Sequence, residues 1–367
     1  MNKVAIIFIL TCFYSLTAQT TRKYSNEFLN IGVDAAALGM ANAVVATSED
    51  VNSGYWNPAG LTLLEDNQIS FMHAAYFANI ANYDYLGYAM PIDERSALGI
   101  SIIRFGVDDI LDTTSLVDAD GNIDYTRINL FSAADYAFTF SYARTTRWDG
   151  LSYGANAKVI RRVIGDFASA WGFGFDLGIQ YAVNSWRFGL MVRDVTTTYN
   201  TWSIEDFAIG DLNGNGTPDE EEIEQLRDQE LPETTEITLP KLQLGAAKYF
   251  EISNKFELLA ELNMNVRFAE TNDIISTSSF SAVPAFGFQL DYNKLIFLRG
   301  GVGNFQNIQQ FDGTNEIGFQ PNFGVGFHYK GISIDYALTD IGDQSAAIYS
   351  NIFSLKVDWS IFSKKNF

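Results

Sequence analysis

The residues best arranged for chemistry lie between 211 and 222. Asp211, Asn213, Asn215, Gly216 and Glu222 fall at the spacing of the calcium loop D-x-[DN]-x-[DN]-G-x5-E. Calcium is held by six to eight oxygens. The side chains of Asp211, Asn213 and Asn215 would supply the first of them. Gly216 would permit the sharp turn, and the Thr217 carbonyl would be the next ligand. Asp219 would bind directly or through water, and Glu222 would close the shell with both oxygens. The expected cofactor is therefore Ca2+ in a structural role. Asn at two ligand positions lowers the charge, as in weak extracellular sites. Against this, Pro218 occupies a position that normally makes a short β contact, and no clear helix enters the loop. The competing reading is a solvated acidic loop.

Other constellations carry less. Asp118, Asp120, Asn122 and Asp124 form a similar run but lack Gly at the sixth position and Glu at the twelfth, so Asp120-Gly121 reads as a hairpin turn. Gly150-Leu151-Ser152-Tyr153-Gly154 matches the hydrolase elbow G-x-S-x-G, which requires a strand, a sharp turn and a helix. Here it opens an alternating strand. The two histidines, His73 and His328, read as satisfied interior residues. No phosphate-binding loop and no H-E-x-x-H motif occurs, so neither an enzyme nor a nucleotide partner is expected.

The composition points to a membrane wall. Aromatics make up 14% of the 367 residues, with 29 Phe, 18 Tyr and also 29 Gly. Hydrophobic residues reach 47% while the mean hydropathy is near zero, so apolar and polar residues are finely mixed. The formal net charge of -20 and a pI of about 4.4 exclude a nucleic-acid partner, since phosphates need a basic footprint. Residues 1–18 read as a secretory signal, with Lys3, an apolar core over 4–16, and cleavage after Ala18. The only cysteine, Cys12, lies inside it, leaving no disulfide or thiol chemistry in the mature chain. No later apolar run is long enough for a transmembrane helix. A mature chain in a membrane must then be a closed barrel, because backbone groups in lipid need internal partners.

Strict alternation supplies the strands. Trp171, Phe173, Phe175, Leu177, Ile179 and Tyr181 alternate with Gly172, Gly174, Asp176, Gly178 and Gln180. Successive strand side chains point to opposite faces, so one face is apolar and the other small or polar. The pattern recurs and predicts an all-β fold: a transmembrane antiparallel barrel of about fourteen strands spanning residues 69–367. The strands fall near 69–77, 83–90, 96–105, 135–144, 151–160, 171–182, 185–194, 241–250, 255–268, 282–292, 295–303, 319–329, 331–339 and 351–362. Connections after even strands are short (91–95, 145–150, 183–184, 251–254, 293–294 and 330). Most after odd strands are long, above all 106–134 and 195–240. Short turns belong in the periplasm and long loops outside. Lys158, Asp176, Arg187, Arg193, Glu257, Glu261, Arg267, Asp291, Asp335, Lys356 and Asp358 would face the lumen, where mixed charges pair across a barrel or hold a plug.

Residues 19–68 do not alternate. Residues 34–40 are Ala-rich and suit a short helix, and Asn57-Pro58-Ala59-Gly60 reads as a turn. This stretch is expected to fold into the lumen as a plug or hatch, with Tyr55, Trp56, Asn57, Pro58, Ala59 and Gly60 as its motif. Phe28-Leu29-Asn30-Ile31-Gly32, residues 35–40, Val44-Val45-Ala46 and residues 53–61 resemble the PorV/PorQ family, itself similar to the FadL-type long-chain fatty acid transporters with their Asn-Pro-Ala hatch turn. The likeness is specific over about residues 28–61. It departs at Gly60, where PorV proper tends to carry Lys.

The resemblance implies a FadL-like fold in a Bacteroidetes-type outer membrane and a place in the type IX secretion system. Partners would be outer-membrane lipid, translocon or attachment-complex proteins, and the C-terminal domains of secreted cargo. The alternative is a FadL-like outer-membrane channel for hydrophobic small molecules, with residues 28–61 as a movable hatch.

Overall fold

The computed structural model describes residues 25–76, 80–113, 116, 123–204, 235–310, 313–339, 350–359 and 361. The described residues form seventeen strands: β1 (Gln68–Tyr76), β2 (Ala81–Asp93), β3 (Ser96–Asp112), β4 (Asn129–Thr145), β5 (Leu151–Ile164), β6 (Ala168–Val183), β7 (Trp186–Arg193), β8 (Thr198–Ile204), β9 (Thr235–Thr238), β10 (Lys241–Ser253), β11 (Phe256–Arg267), β12 (Ile275–Ser276), β13 (Ser281–Tyr292), β14 (Ile296–Gln309), β15 (Asn315–Tyr329), β16 (Ile332–Thr339) and β17 (Ser350–Asp358). Each of the fourteen predicted strands has its counterpart here. Those fourteen, all but β8, β9 and β12, close into an antiparallel barrel. β7 pairs directly with β10 and β11 with β13. The circuit closes where β1 pairs with β17, from Gln68 opposite Asp358 to Ala75 opposite Asn351. No described helix is long and apolar enough to cross a membrane, which says nothing of strands.

Alternation in sequence becomes two faces in space. On β6, Trp171, Phe173, Phe175, Leu177, Ile179 and Tyr181 are exposed, while Asp176 and Gln180 between them are buried. A continuous exposed apolar band of this kind is the lipid face of a barrel. Tyr142, Tyr153, Tyr181, Trp186, Tyr329 and Trp359 are exposed within a few residues of the short turns. There amphipathic rings suit a membrane–water boundary.

Three features depart from the sequence expectation. First, β3 and β4 run past the barrel wall and stay paired up to Asp112 opposite Asn129, after an irregularity between Val107 and Ile110 where Asp109 takes φ 59°. The expected loop 106–134 is thus partly a ribbon. Second, the 195–240 connection contributes β8 and β9. β8 takes over the edge of β6 beyond the end of β7, from Ala168 opposite Ile204 to Phe173 opposite Tyr199. The 269–281 connection contributes β12, which pairs with β13.

Third, His73 is not interior. On β1 the residues Ser70, Met72, Ala74 and Tyr76 are the buried set, so His73 points outward. Its Nδ1 lies 2.7 Å from Asp84, and Arg104 reaches Asp84 at 3.9 Å and Asp108 at 2.8 Å. A polar patch therefore interrupts the greasy wall of β1–β3. His328 lines the lumen at the short-turn end, as expected.

If the outward face of β6 meets lipid, Leu177→Arg should cost about 2–4 kcal/mol, the usual cost of a cation near the bilayer midplane. Urea or guanidinium unfolding in phospholipid vesicles measures it. An unchanged midpoint would place Leu177 in water.

Candidate functional site

The candidate site is the segment that precedes the first strand and the inward side chains it meets. Residues 25–64 precede the first strand and are largely buried. Local chemistry explains their turns. Asp34 adopts φ 75°, and its carboxylate accepts from the N–H of Ala36, starting the short helix Ala35–Gly39. Asn57 is extended and fully buried. Its Oδ1 accepts from the N–H of Ala59, capping the 3-10 helix Pro58–Leu63, with Pro at the first position where no N–H is needed. The Tyr55 hydroxyl donates to the Leu29 carbonyl at 2.7 Å, and the Trp56 indole donates to the Val33 carbonyl at 3.0 Å. These two bonds tie the segment to itself.

Inward side chains from around the barrel hold the segment. Asn156 of β5 donates to the Gly54 carbonyl at 2.8 Å, and Gln180 of β6 to the Ser48 carbonyl at 2.9 Å. Arg193 of β7 donates to the Tyr55 carbonyl at 2.8 Å and lies over the Tyr55 ring. Glu261 of β11 accepts from the N–H of Ala46 at 2.8 Å and from the Thr47 hydroxyl. On β17, Ser354 donates to Asp34 at 2.8 Å, and Lys356 pairs with Asp50. Asn57 completes the set from the segment's side, donating to the carbonyls of Val45 and Ile179, each at 3.0 Å.

Two glycines record how close the fit is. A Cβ at Gly60 would lie 2.0 Å from the Ser48 carbonyl oxygen, so no larger residue fits that seat and a Lys there is excluded. A Cβ at Gly189 on β7 would lie 2.3 Å from the Val45 carbonyl oxygen. The small residues opposite the aromatics in the sequence are room for this segment.

The motif residues Tyr55, Trp56, Asn57, Pro58, Ala59 and Gly60 are brought together and all are buried. The lumen charges pair as expected in part. Lys158 sits between Asp176 at 2.8 Å and Asp194 at 2.6 Å, and Arg299 pairs with Asp335. Asp194, Arg299 and Asp34 were not among the residues singled out from the sequence. Arg299 lies in register with Phe297 and Gly301 on one face of a strand, a signal that was available. The calcium set Asp211, Asn213, Asn215, Thr217, Asp219 and Glu222 lies outside the described residues. So does Asp120-Gly121. Among the described residues no cluster of His, Cys, Asp or Glu could hold a metal ion. Ser152 of the elbow-like sequence sits at the start of β5, without the strand–turn–helix the elbow needs.

Two cavities flank the segment. One of about 760 Å³ opens at the short-turn end, lined by Asp34, Glu49, Asp50, Arg299, Asp335 and Lys356 among others. Burial pushes the Asp34 carboxyl up to about 6. The second cavity, of about 280 Å³, lies at the long-loop end, with Arg193, Lys241 and Arg267 on its wall. Trp56 lines both.

The family described as Type IX secretion system protein PorV matches residues 16–190, a stretch that contains the resemblance read over 28–61. No curated protein matches the chain in sequence. Among solved structures, the CymD monoaromatic hydrocarbon channel aligns with a TM-score of 0.53 at 13% identity, covering 89% of this chain and 98% of that one. The Pseudomonas putida toluene transporter TodX aligns with a TM-score of 0.53 at 12% identity, covering 92% and 98%. A Pseudomonas aeruginosa FadL homologue aligns with a TM-score of 0.51 at 12% identity, covering 89% and 98%. The fold is therefore that of the FadL-like outer-membrane barrels.

Asn57→Ala would remove a donor from the Val45 and Ile179 carbonyls and the acceptor of the Ala59 N–H, while the Val45 carbonyl keeps the Gln180 amide; a buried group left unsatisfied costs about 1–3 kcal/mol. Hydrogen–deuterium exchange over residues 35–64 should accelerate accordingly while the strands stay protected. Unchanged exchange would mean that Asn57 does not hold the segment.

Proposed function

We propose that the protein is an outer-membrane barrel of type IX secretion. In this reading residues 19–68 plug the lumen, and the long-loop face, chiefly 106–134 and 195–240, binds cargo C-terminal domains or translocon and attachment proteins. The observation that carries it is the PorV-family match over residues 16–190. The bonding of residues 25–64 to β5, β6, β7, β11 and β17 supports a closed lumen, as does Trp56 standing between the two cavities. The reading includes export by the signal over 1–18, cleavage near Ala18, and a Bacteroidetes-type outer membrane. It also includes a structural Ca2+ held by the 211–222 loop at the cell surface.

A second reading, a channel for hydrophobic small molecules, draws on the likeness to CymD and TodX. It requires a continuous apolar path, whereas charged and amide side chains stand among the apolar ones in both cavities.

Affinity purification of the full chain from native outer membranes, followed by mass spectrometry, separates the two. The secretion reading expects secreted cargo or translocon subunits to copurify and to be lost when 195–240 is trimmed. Copurification of neither, together with uptake of a lipid-like compound, would favour the channel. For the metal, the double variant Asp211→Ala, Glu222→Ala should abolish Ca2+ binding measured by calorimetry. Undiminished affinity would refute the assignment.

A further inference from the structure

Three cationic side chains stand in a row across three adjoining strands. Arg193 of β7 is the register partner of Lys241 on β10, and Lys241 is the partner of Arg267 on β11. The odd-numbered residues of these strands form the inward set, as the buried Met191, Gln243, Glu261 and Asn263 record. All three cations line the cavity of about 280 Å³ at the long-loop end. Neighbouring strands lie about 4.8 Å apart, and like charges directly opposite repel.

No direct ion pair among the described residues neutralises the row, although Glu27 and Asp273 lie close enough to act on Lys241. None of the three forms an ion pair there. Arg193 is held by the Gln243 side-chain oxygen at 2.7 Å and the Tyr55 carbonyl, and Lys241 by the Asn30 side-chain oxygen at 3.3 Å. These are neutral acceptors. The Arg267 guanidinium has no hydrogen-bond acceptor among the described residues. One carboxylate, Glu27, lines the same cavity, and it accepts from Asn30 at 2.7 Å. Lys158 faces two carboxylates, Asp176 and Asp194, so one negative charge is left over beside Arg193. Asp273 is buried nearby but does not line the cavity. The wall thus carries three positive charges against one negative. Asn265, Gln320 and Asn322 add side-chain amides to it.

Two guanidinium forks flanking an ammonium, with amide donors beside them, form a receptor for a compact tetrahedral oxyanion rather than for an apolar molecule. We propose that Arg193, Lys241 and Arg267 form a binding site for a phosphoryl dianion, entered from the long-loop end of the barrel. The ligand is either free phosphate or a phosphomonoester carried on a sugar, which present the same group to the row. The site is independent of the secretion reading, since it rests on the register and the cavity alone.

The test is calorimetric titration of the purified full-length barrel in detergent at constant ionic strength. The titrants are inorganic phosphate, glucose 1-phosphate and acetate. Saturable phosphate or sugar-phosphate binding, tighter than acetate, is expected. It should weaken about tenfold in Arg267→Gln and in Lys241→Gln, and stay unchanged in Arg187→Gln, which lies at the short-turn end. A tighter inorganic ion points to free phosphate and a tighter sugar phosphate to a carried group; either supports the site. Heat-modifiable migration on gels verifies that each variant remains a barrel. In folded protein, phosphate should also raise the unfolding temperature of the unaltered chain more than that of the two variants. No saturable binding, acetate binding equal to phosphate, or equal affinity in folded Arg267→Gln and Lys241→Gln would overturn the proposal.

Discussion

In hydrocarbon a peptide N–H or C=O has no water to turn to, so every one at membrane depth must be paired inside the protein. The pairing of β1 with β17 meets that demand by removing the last free edge of the sheet. Closure then divides the side chains into two populations with opposite solvents. The outward set of β6 is apolar from Trp171 to Val183, while the inward set mixes glycine, amide and charge. A fourteen-strand circuit encloses more space than small inward residues can fill, so something must occupy the middle.

Residues 25–64 are largely buried against inward side chains of the wall. Residues 25–64 bring backbone carbonyls and N–H groups that would be orphaned inside a barrel, and the inward amides and charges are their partners. This explains why a buried Glu261 has no cation bound to it. Its carboxylate is satisfied by the Ala46 N–H and the Thr47 hydroxyl, a charge-assisted pair that fixes position as well as energy. Elsewhere charges meet charges, as Lys158 meets Asp176 and Asp194. Breaking one member of such a buried group leaves the others uncompensated, so the lumen resists piecemeal change.

The strands were legible because a period of two is written into residues such as 171–181, and the short turns followed from it. Extensions beyond the wall were not. In β8, Tyr199 and Trp202 fall on opposite faces, so no one-sided apolar stripe marks the strand. The outward turn of His73 was hidden as well. A titratable residue on a lipid-facing wall runs against the ordinary preference, and only the register with Asp84 and the burial of its neighbours reveal it. Within the lumen the sequence could name Glu261 and Lys356 as inward, but not Ala46 and Asp50 as their partners. Those contacts join residues more than 200 positions apart. The close approach at Gly60 was equally invisible, since the clashing atom belongs to the backbone of Ser48.

The seat of the segment before β1 has a bearing on assembly. Asp34 meets Ser354 across 320 positions, and Asp50 meets Lys356 across 306. These two contacts therefore form only after the last strand arrives, whereas the bonds to β5, β6 and β7 join residues closer along the chain. Loop closures of that length are slow, and in the interval the seam beside β1 lies open. The strand that shuts the wall against β1 is thus also the one that holds Asp34 and Asp50, so a break at that seam would loosen the wall and its contents together.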